Sequence, residues 1–268
     1  MIYGLFACGL LSGVTTWLFG FGGGFVTVPL LYLLLSHQWA ASDVSGQAMQ
    51  IAVATSALVM LCTSLLASGR HLLAGTVSWR PLLPILAGIA IGGVVGAVLA
   101  LRVNGEWIRW LFIFYLAATI ADCYLRPGFM APPSRRMQAN VRQEFTLGGG
   151  IGLIAAFLGV GGSVMTVPLM RRRGATMAQA AAMANLLTLP LATTASLTWL
   201  LMASPVALPS GFIGNIWWQA AGLLVAGSWL GLRAASRWLA KWPDRWHARI
   251  YPLLLLLVLL AMGVGGAG

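Results

Sequence analysis

Residues 19–30 and 158–169 are two copies of one unusual stretch. The first reads Phe19-Gly20-Phe21-Gly22-Gly23-Gly24-Phe25-Val26-Thr27-Val28-Pro29-Leu30, the second Leu158-Gly159-Val160-Gly161-Gly162-Ser163-Val164-Met165-Thr166-Val167-Pro168-Leu169. They align without gaps at an offset of 139, and 7 of the 12 positions are identical, which marks an internal duplication. Each copy lies inside an apolar run, and clustered glycines followed closely by proline are poor material for the middle of a helix. Both halves therefore keep a helix break, bounded by Gly20 and Pro29 in the first and by Gly159 and Pro168 in the second.

A break of this kind matters because of what surrounds it. The chain is 59% hydrophobic and only 8% charged over 268 residues, against about 25% charged in a soluble domain. The charges cluster between long apolar runs, so the reading is an all-α polytopic membrane protein. The runs are continuously apolar and do not alternate, which excludes a transmembrane β-barrel. The net charge of +11 does not point to nucleic acid, because the basic residues sit between spans, where cytoplasmic loops carry them. Cys8, Cys62 and Cys123 are scattered without paired spacing, and no metal or cofactor site is expected. The N-terminal run has no basic leader and reads as the first membrane helix. The tail from Gly263 reads as frayed.

The first half holds the apolar stretch Ile2–Leu18, the break, Phe25–Leu35, and spans at Ser45–Ala67, Pro81–Leu101 and Glu106–Leu125. Gly88, Gly92 and Gly96 give the span Pro81–Leu101 a small-residue face that lets helix backbones approach closely. A basic linker, residues 126–142, separates the first repeat (1–125) from the second (143–268). The second half runs Glu144–Leu158, the break, Val164–Met170, the triplet Arg171-Arg172-Arg173, and spans at Met177–Met202, Phe212–Leu232 and Ile250–Met262. Between the last two lie Arg233, Arg237, Lys241, Arg245 and Arg249.

Charge distribution decides between two topologies. If each broken segment crosses the bilayer once, Arg171–Arg173 and the Arg233–Arg249 loop fall outside. If each is a hairpin that leaves on the side it entered, 14 of the 16 Lys and Arg fall inside, with only Arg102 and Arg109 outside. The positive-inside rule favours the hairpins. Each half then has a Gly-broken helical hairpin plus three transmembrane helices, an odd number of crossings. The halves are expected to be inverted-topology repeats with the N-terminus outside, an architecture used by transporters.

Unwound backbone at membrane depth is tolerated only where protein or a water-filled cavity surrounds it. The residues after each break start a half-helix whose first N–H groups lack intrahelical partners and whose dipole end is positive. Glycine lets a small oxyanion reach those groups. The candidate substrate-binding residues are Gly22, Gly23, Gly24 and Thr27 from the first break and Gly161, Gly162, Ser163 and Thr166 from the second. Gln50 and Asn185 join them as amides inside apolar spans, aligned if the intervening loop is four residues shorter in the second half. Polar groups at that depth tend to face the bundle interior. Close helix packing by the glycines, and an interhelical hydrogen bond by each amide, are the competing readings. Gln47, Thr55, Ser56 and Thr188 are secondary candidates. Asp122 is the one carboxylate candidate for a proton relay, with pairing to Arg126 at i,i+4 as the alternative. No His cluster suits a metal, and His37, His71 and His247 sit at span edges.

The pair Gly20-Phe21-Gly22-Gly23-Gly24 and Gly159-Val160-Gly161-Gly162-Ser163, each followed by Thr-Val-Pro, resembles the TauE/SafE family of sulfite exporters over most of the chain, from Leu5 to about Met262. The resemblance implies an exporter in the bacterial inner membrane carrying sulfite, thiosulfate or an organosulfonate such as sulfoacetate. Family members often have a Thr-Ser pair early in the span after each hairpin; here those places read Met49-Gln50 and Ala184-Asn185, which implies a different pocket.

The expected function is therefore transport of a small sulfur-containing anion by alternating access around a midplane site. The expected partners are that anion and the bilayer, and a homo-oligomer is left open. A membrane scaffold or assembly factor for a redox or cofactor pathway is the alternative, although it needs neither inverted symmetry nor two breaks. An enzyme would need a nucleophile, metal cluster or acid–base pair at depth, and none is legible.

Overall fold

A computed structural model describes residues 2–38, 46–73, 80–126, 129–130, 140–202, 210–238 and 242–264. Most of the linker 126–142, the loops at 39–45 and 203–209, and the tail beyond 264 lie outside the described residues. In the first half, α1 (Ile2–Phe19) and α2 (Gly24–Gln38) flank the break, followed by α3 (Ala48–Leu73), α4 (Leu83–Arg102) and α5 (Gly105–Leu125). In the second, α6 (Val141–Leu158) and α7 (Ser163–Arg172) flank the break, followed by α8 (Met177–Leu201), α9 (Trp218–Trp238) and α10 (Asp244–Val264). Six helices among the described residues, α1, α3, α4, α5, α8 and α10, are long and apolar enough to cross a bilayer. In lipid each backbone polar group must be satisfied within the protein, which selects helices. The chain is a multi-pass all-α membrane protein.

Helix starts are written locally. Asn104 caps α5 by accepting from Glu106 N–H at 3.1 Å, and Thr176 with Gln179 forms a reciprocal capping box at α8.

Several boundaries differ from the sequence reading. The expected span Phe212–Leu232 opens as a two-stranded hairpin, Phe212–Ile213 with Ile216–Trp217, and becomes helical only at Trp218. Gly214, at positive φ, makes that turn with Asn215, and Gly211, also at positive φ, leads into the first strand. The helix expected to end at Ala67 runs on through Arg70 and His71 to Leu73. The last helix begins at Asp244, so Arg245 and Arg249 lie in its first turns, and His247, at the edge of this span, is buried. An acidic residue in the first turn favours the helix dipole, and the Pro243 carbonyl accepts from Trp246 and His247 N–H.

Glycine seams join the halves. Gly9 and Gly13 of α1 lie against Leu224 and Ser228 of α9, and Gly227 and Gly231 of α9 answer against Phe6 and Leu10. Gly88, Gly92 and Gly96 of α4 lie against Phe145, Gly149 and Leu153 of α6, met by Gly148 and Gly152 against Ile85 and Ile89. A Cβ on Gly13 would overlap the Ser228 carbonyl oxygen and stand 2.8 Å from Leu232 N. Close backbone approach of this kind drives association where lipid removes any hydrophobic gain. The contacts advance together along both members of each pair, so α1 runs parallel to α9 and α4 to α6. The first helix of each half thus packs on the fourth helix of the other. Between them α3 and α8 pack together and are the most buried of the long helices.

The ends of the half-helices are fixed by charge. Arg171 pairs with Asp244 at 2.9 Å, Arg172 with Asp122, and Arg173 with Glu144 at 2.8 Å, so the triplet closing α7 binds the start of α10, the end of α5 and the start of α6. Glu144 is 29 positions before Arg173; a continuous helix would separate them by about 44 Å. The α6–α7 segment therefore doubles back. At the other end Arg109, near the start of α5, donates to the Met262 carbonyl at the end of α10 and stands 6.0 Å from the Tyr32 ring on α2. So α2 ends beside the start of α5, whereas α7 ends beside the end of α5. The two half-helices run in opposite directions.

Candidate functional site

The two breaks share a backbone shape and touch. Gly20 and Gly159 have φ 71° and 70°, and Gly22 and Gly161 have 64° and 65°, left-handed values that side chains with a Cβ rarely take. The correspondence ends at the next position, where Gly23 has φ 93° and Gly162 has −64°. A Cβ on Gly24 would lie 2.7 Å from the Gly159 carbonyl oxygen, and one on Gly161 would lie 3.3 Å from that of Phe21. The positive starts of α2 and α7 therefore sit side by side, wholly buried.

Broken helices leave carbonyls without partners, and hydroxyls from the surrounding helices supply them. Ser12 Oγ donates to Gly23 O at 3.1 Å, and Thr27 Oγ1 donates to the same oxygen at 3.0 Å. Thr63 Oγ1 donates to Gly22 O. Ser56 Oγ donates to Gly159 O at 3.0 Å, and Tyr251 OH to Val164 O at 3.1 Å. Tyr251 also packs with tilted rings against Phe19, Phe21 and Phe129, closing the first break with aromatic surface.

Other hydroxyls in the same region are left without a partner. Ser64, Ser163 and Thr166 are fully buried, and none of their oxygens is hydrogen bonded. Ser64 Oγ lies 3.1 Å from the place a Cβ on Gly22 would occupy. Met60 Sδ and Thr188 Cγ2 complete the wall, 3.0 and 3.5 Å from the corresponding place on Gly161. A buried donor without a partner is costly, and such a group asks for a ligand oxygen.

The expected residues divide accordingly. Gly22, Gly23, Gly24, Gly161 and Gly162 come together with Ser163 and Thr166. Thr27 is committed to its own helix's carbonyls. Gln50 and Asn185 do not occupy matching places. Gln50 is half-buried near the start of α3 and donates to Val103 O at 3.0 Å, whereas Asn185 donates to Thr16 O at 3.1 Å, which also receives Gly20 N–H. The contacts of Gly20 with Ala181 and Ala184, and of Gly159 with Val53 and Ser56, pair the helices at an offset of 128, so the assumed four-residue loop shortening misaligned them. Asp122 is tied to Arg172 and, at 3.4 Å, to Arg126, at the far end of α7 from the breaks. Ser12, Met60, Thr63, Ser64 and Tyr251 were missed; the adjacent hydroxyls of Thr63 and Ser64 inside an apolar span were the available signal. Among the described residues no three His, Cys, Asp or Glu side chains gather as a metal site.

The chain is similar to the probable membrane transporter protein YunE of Bacillus subtilis (strain 168), 26% identical over 271 residues that cover 95% of this chain and 94% of that protein. It is also similar to the probable membrane transporter protein MJ0441 of Methanocaldococcus jannaschii, 23% identical over 172 residues covering 62% of this chain and 60% of that one. No solved structure matches. The model of the sulfite exporter TauE/SafE family matches residues 5–262, nearly the whole length, and the chain belongs to that family of membrane transporters.

Proposed function

We propose that the protein exports a small sulfur-containing anion (sulfite, thiosulfate or an organosulfonate) by alternating access around the two breaks. The observation that carries the reading is the meeting of two positive half-helix starts beside the unpartnered hydroxyls of Ser64, Ser163 and Thr166. An oxyanion would complete those hydrogen bonds and meet the dipole ends. Gly22, Gly23, Gly24, Gly161 and Gly162 admit it to the backbone N–H groups.

The halves are taken as inverted repeats, residues 1–125 and 143–268. Support comes from the opposite directions of α2 and α7 and from the exchanged packing of α1 on α9 and α6 on α4. Rocking of one half against the other would expose the breaks to each side in turn. A negative-inside potential favours anion exit by about 2.3 kcal/mol per charge at 100 mV, so efflux needs no coupling carboxylate. A scaffold role leaves the three buried hydroxyls without a purpose.

The test is flux of sulfite, thiosulfate and sulfoacetate through purified protein in liposomes, with chloride and sulfate as controls. Saturable movement of a sulfur anion that is lost in Gly22→Val, with the variant still folded, supports the reading. Movement of none of them sinks it, and unchanged flux in Gly22→Val removes the breaks from the site.

A further inference from the structure

We infer that the site between the breaks takes a singly charged anion and discriminates against doubly charged ones. The inference rests on the anion-transport reading above. Two half-helix starts meet there, and each carries about half an elementary positive charge. Together they offset about one negative charge.

The side chains that add hydrogen bonds are neutral. Ser64, Ser163 and Thr166 are fully buried hydroxyls without partners, and the opposing wall is the thioether of Met60 and the methyl group of Thr188. The cationic side chains buried among the described residues are committed elsewhere. Arg109 donates to the Met262 and Gly263 carbonyls. Arg171 is held by Asp244 and by the carbonyls of Phe129, Met130 and Ala175. His247 is buried with its ring 5.9 Å from that of Phe19, and a charge on it would show as methanesulfonate uptake that falls as pH rises, which the test below reads separately from the substrate's own proton. A second negative charge on the ligand would therefore be buried without a counter-charge, which is expensive in a low-dielectric site.

The rule divides the sulfur anions. Methanesulfonate carries one charge throughout the working range. Sulfite loses its last proton near neutral pH, so hydrogen sulfite is the fitting form. Thiosulfate, sulfate and sulfoacetate carry two charges and fit poorly.

Methanesulfonate and sulfate are tetrahedral oxyanions of similar size, so they isolate charge. In liposomes carrying the full chain at about pH 8, methanesulfonate uptake is expected to be saturable and at least tenfold faster than sulfate uptake. Sulfite uptake is expected to fall between about pH 6 and pH 8 while methanesulfonate uptake holds, which puts the relevant proton on the substrate and not on the protein. Sulfate moving as fast as methanesulfonate, or sulfite uptake rising with pH, overturns the inference and leaves anion transport standing. Uptake of none of the three overturns the inference, and failure of thiosulfate and sulfoacetate to move as well overturns the anion-transport reading. Ser64→Ala and Ser163→Ala should each raise the half-saturating methanesulfonate concentration several-fold with the melting temperature within a few degrees of the parent. An unchanged half-saturation in both variants overturns the assignment of the site.

Discussion

Ser56 on α3 donates its hydroxyl to the carbonyl of Gly159 at 3.0 Å, so a helix of the first half satisfies the break of the second. One and two turns further along α3, Met60 wedges against Gly24 and Gly161, and Thr63 serves the carbonyl of Gly22. A single helix therefore supports both breaks, and disturbing it should be felt at each.

Ser56→Ala leaves the Gly159 carbonyl buried and unpaired. The usual cost is about 1–3 kcal/mol, and the low end applies, because Ser56 shares its proton with the Val53 carbonyl. Thr63→Val keeps the shape and removes the donor to Gly22, with an expected loss of about 1–2 kcal/mol. Thermal unfolding in detergent should show both variants folded and less stable than the parent.

Glu144 and Arg173 meet through two parallel contacts, at 2.8 and 3.1 Å. With Cys8, Cys62 and Cys123 replaced by alanine, Glu144→Cys with Arg173→Cys should cross-link through a short bifunctional thiol reagent in membranes. Absence of the cross-link would mean that α6 and α7 do not double back.

The seam glycines and the exposed glycines should respond oppositely. Gly13→Ala drives a methyl group into the Ser228 carbonyl, and Gly92→Ala drives one into that of Gly149; each should cost about 1–3 kcal/mol through overpacking. Gly4 and Gly222 have nothing within 4 Å of an added Cβ. Gly4→Ala and Gly222→Ala should be neutral or stabilising, since alanine is the better helix former by up to about 1 kcal/mol. Equal effects in the two sets, read by melting temperature, would remove the packing role of the seams.

Arg171 has a fully buried side chain paired with Asp244, which also accepts from Met177 N–H at 2.7 Å. Removing one member of a buried pair typically costs about 3–5 kcal/mol. The Asp244 side chain is 38% exposed and Arg171 keeps three carbonyl partners, so Asp244→Asn should cost less, about 2 kcal/mol. Arg171→Met added to Asp244→Asn should lower the melting temperature further, because the carbonyls of Phe129, Met130 and Ala175 then lose their donor.

The membrane class and the break itself were legible along the chain because their causes are local. Long uncharged runs dictate helices in lipid, and the left-handed backbone at Gly20, Gly22, Gly159 and Gly161 demands the residue seen there. The offset of 139 also relates Gly9, Gly13, Gly88 and Gly92 to Gly148, Gly152, Gly227 and Gly231, a signal available without coordinates. What tertiary structure decided is which distant groups meet. Arg171 and Asp244 are 73 positions apart and Asn185 and Thr16 are 169 apart, and nothing local chooses those partners over other charges or carbonyls. Gln50 and Asn185 looked like a pair because an adjustable loop length can bring any two amides into line, whereas contacts at the breaks set a different register. Which hydroxyls serve the freed carbonyls, and which are left without a partner, depends on where the surrounding helices place them, since only neighbours within about 3 Å of the break can complete its hydrogen bonds.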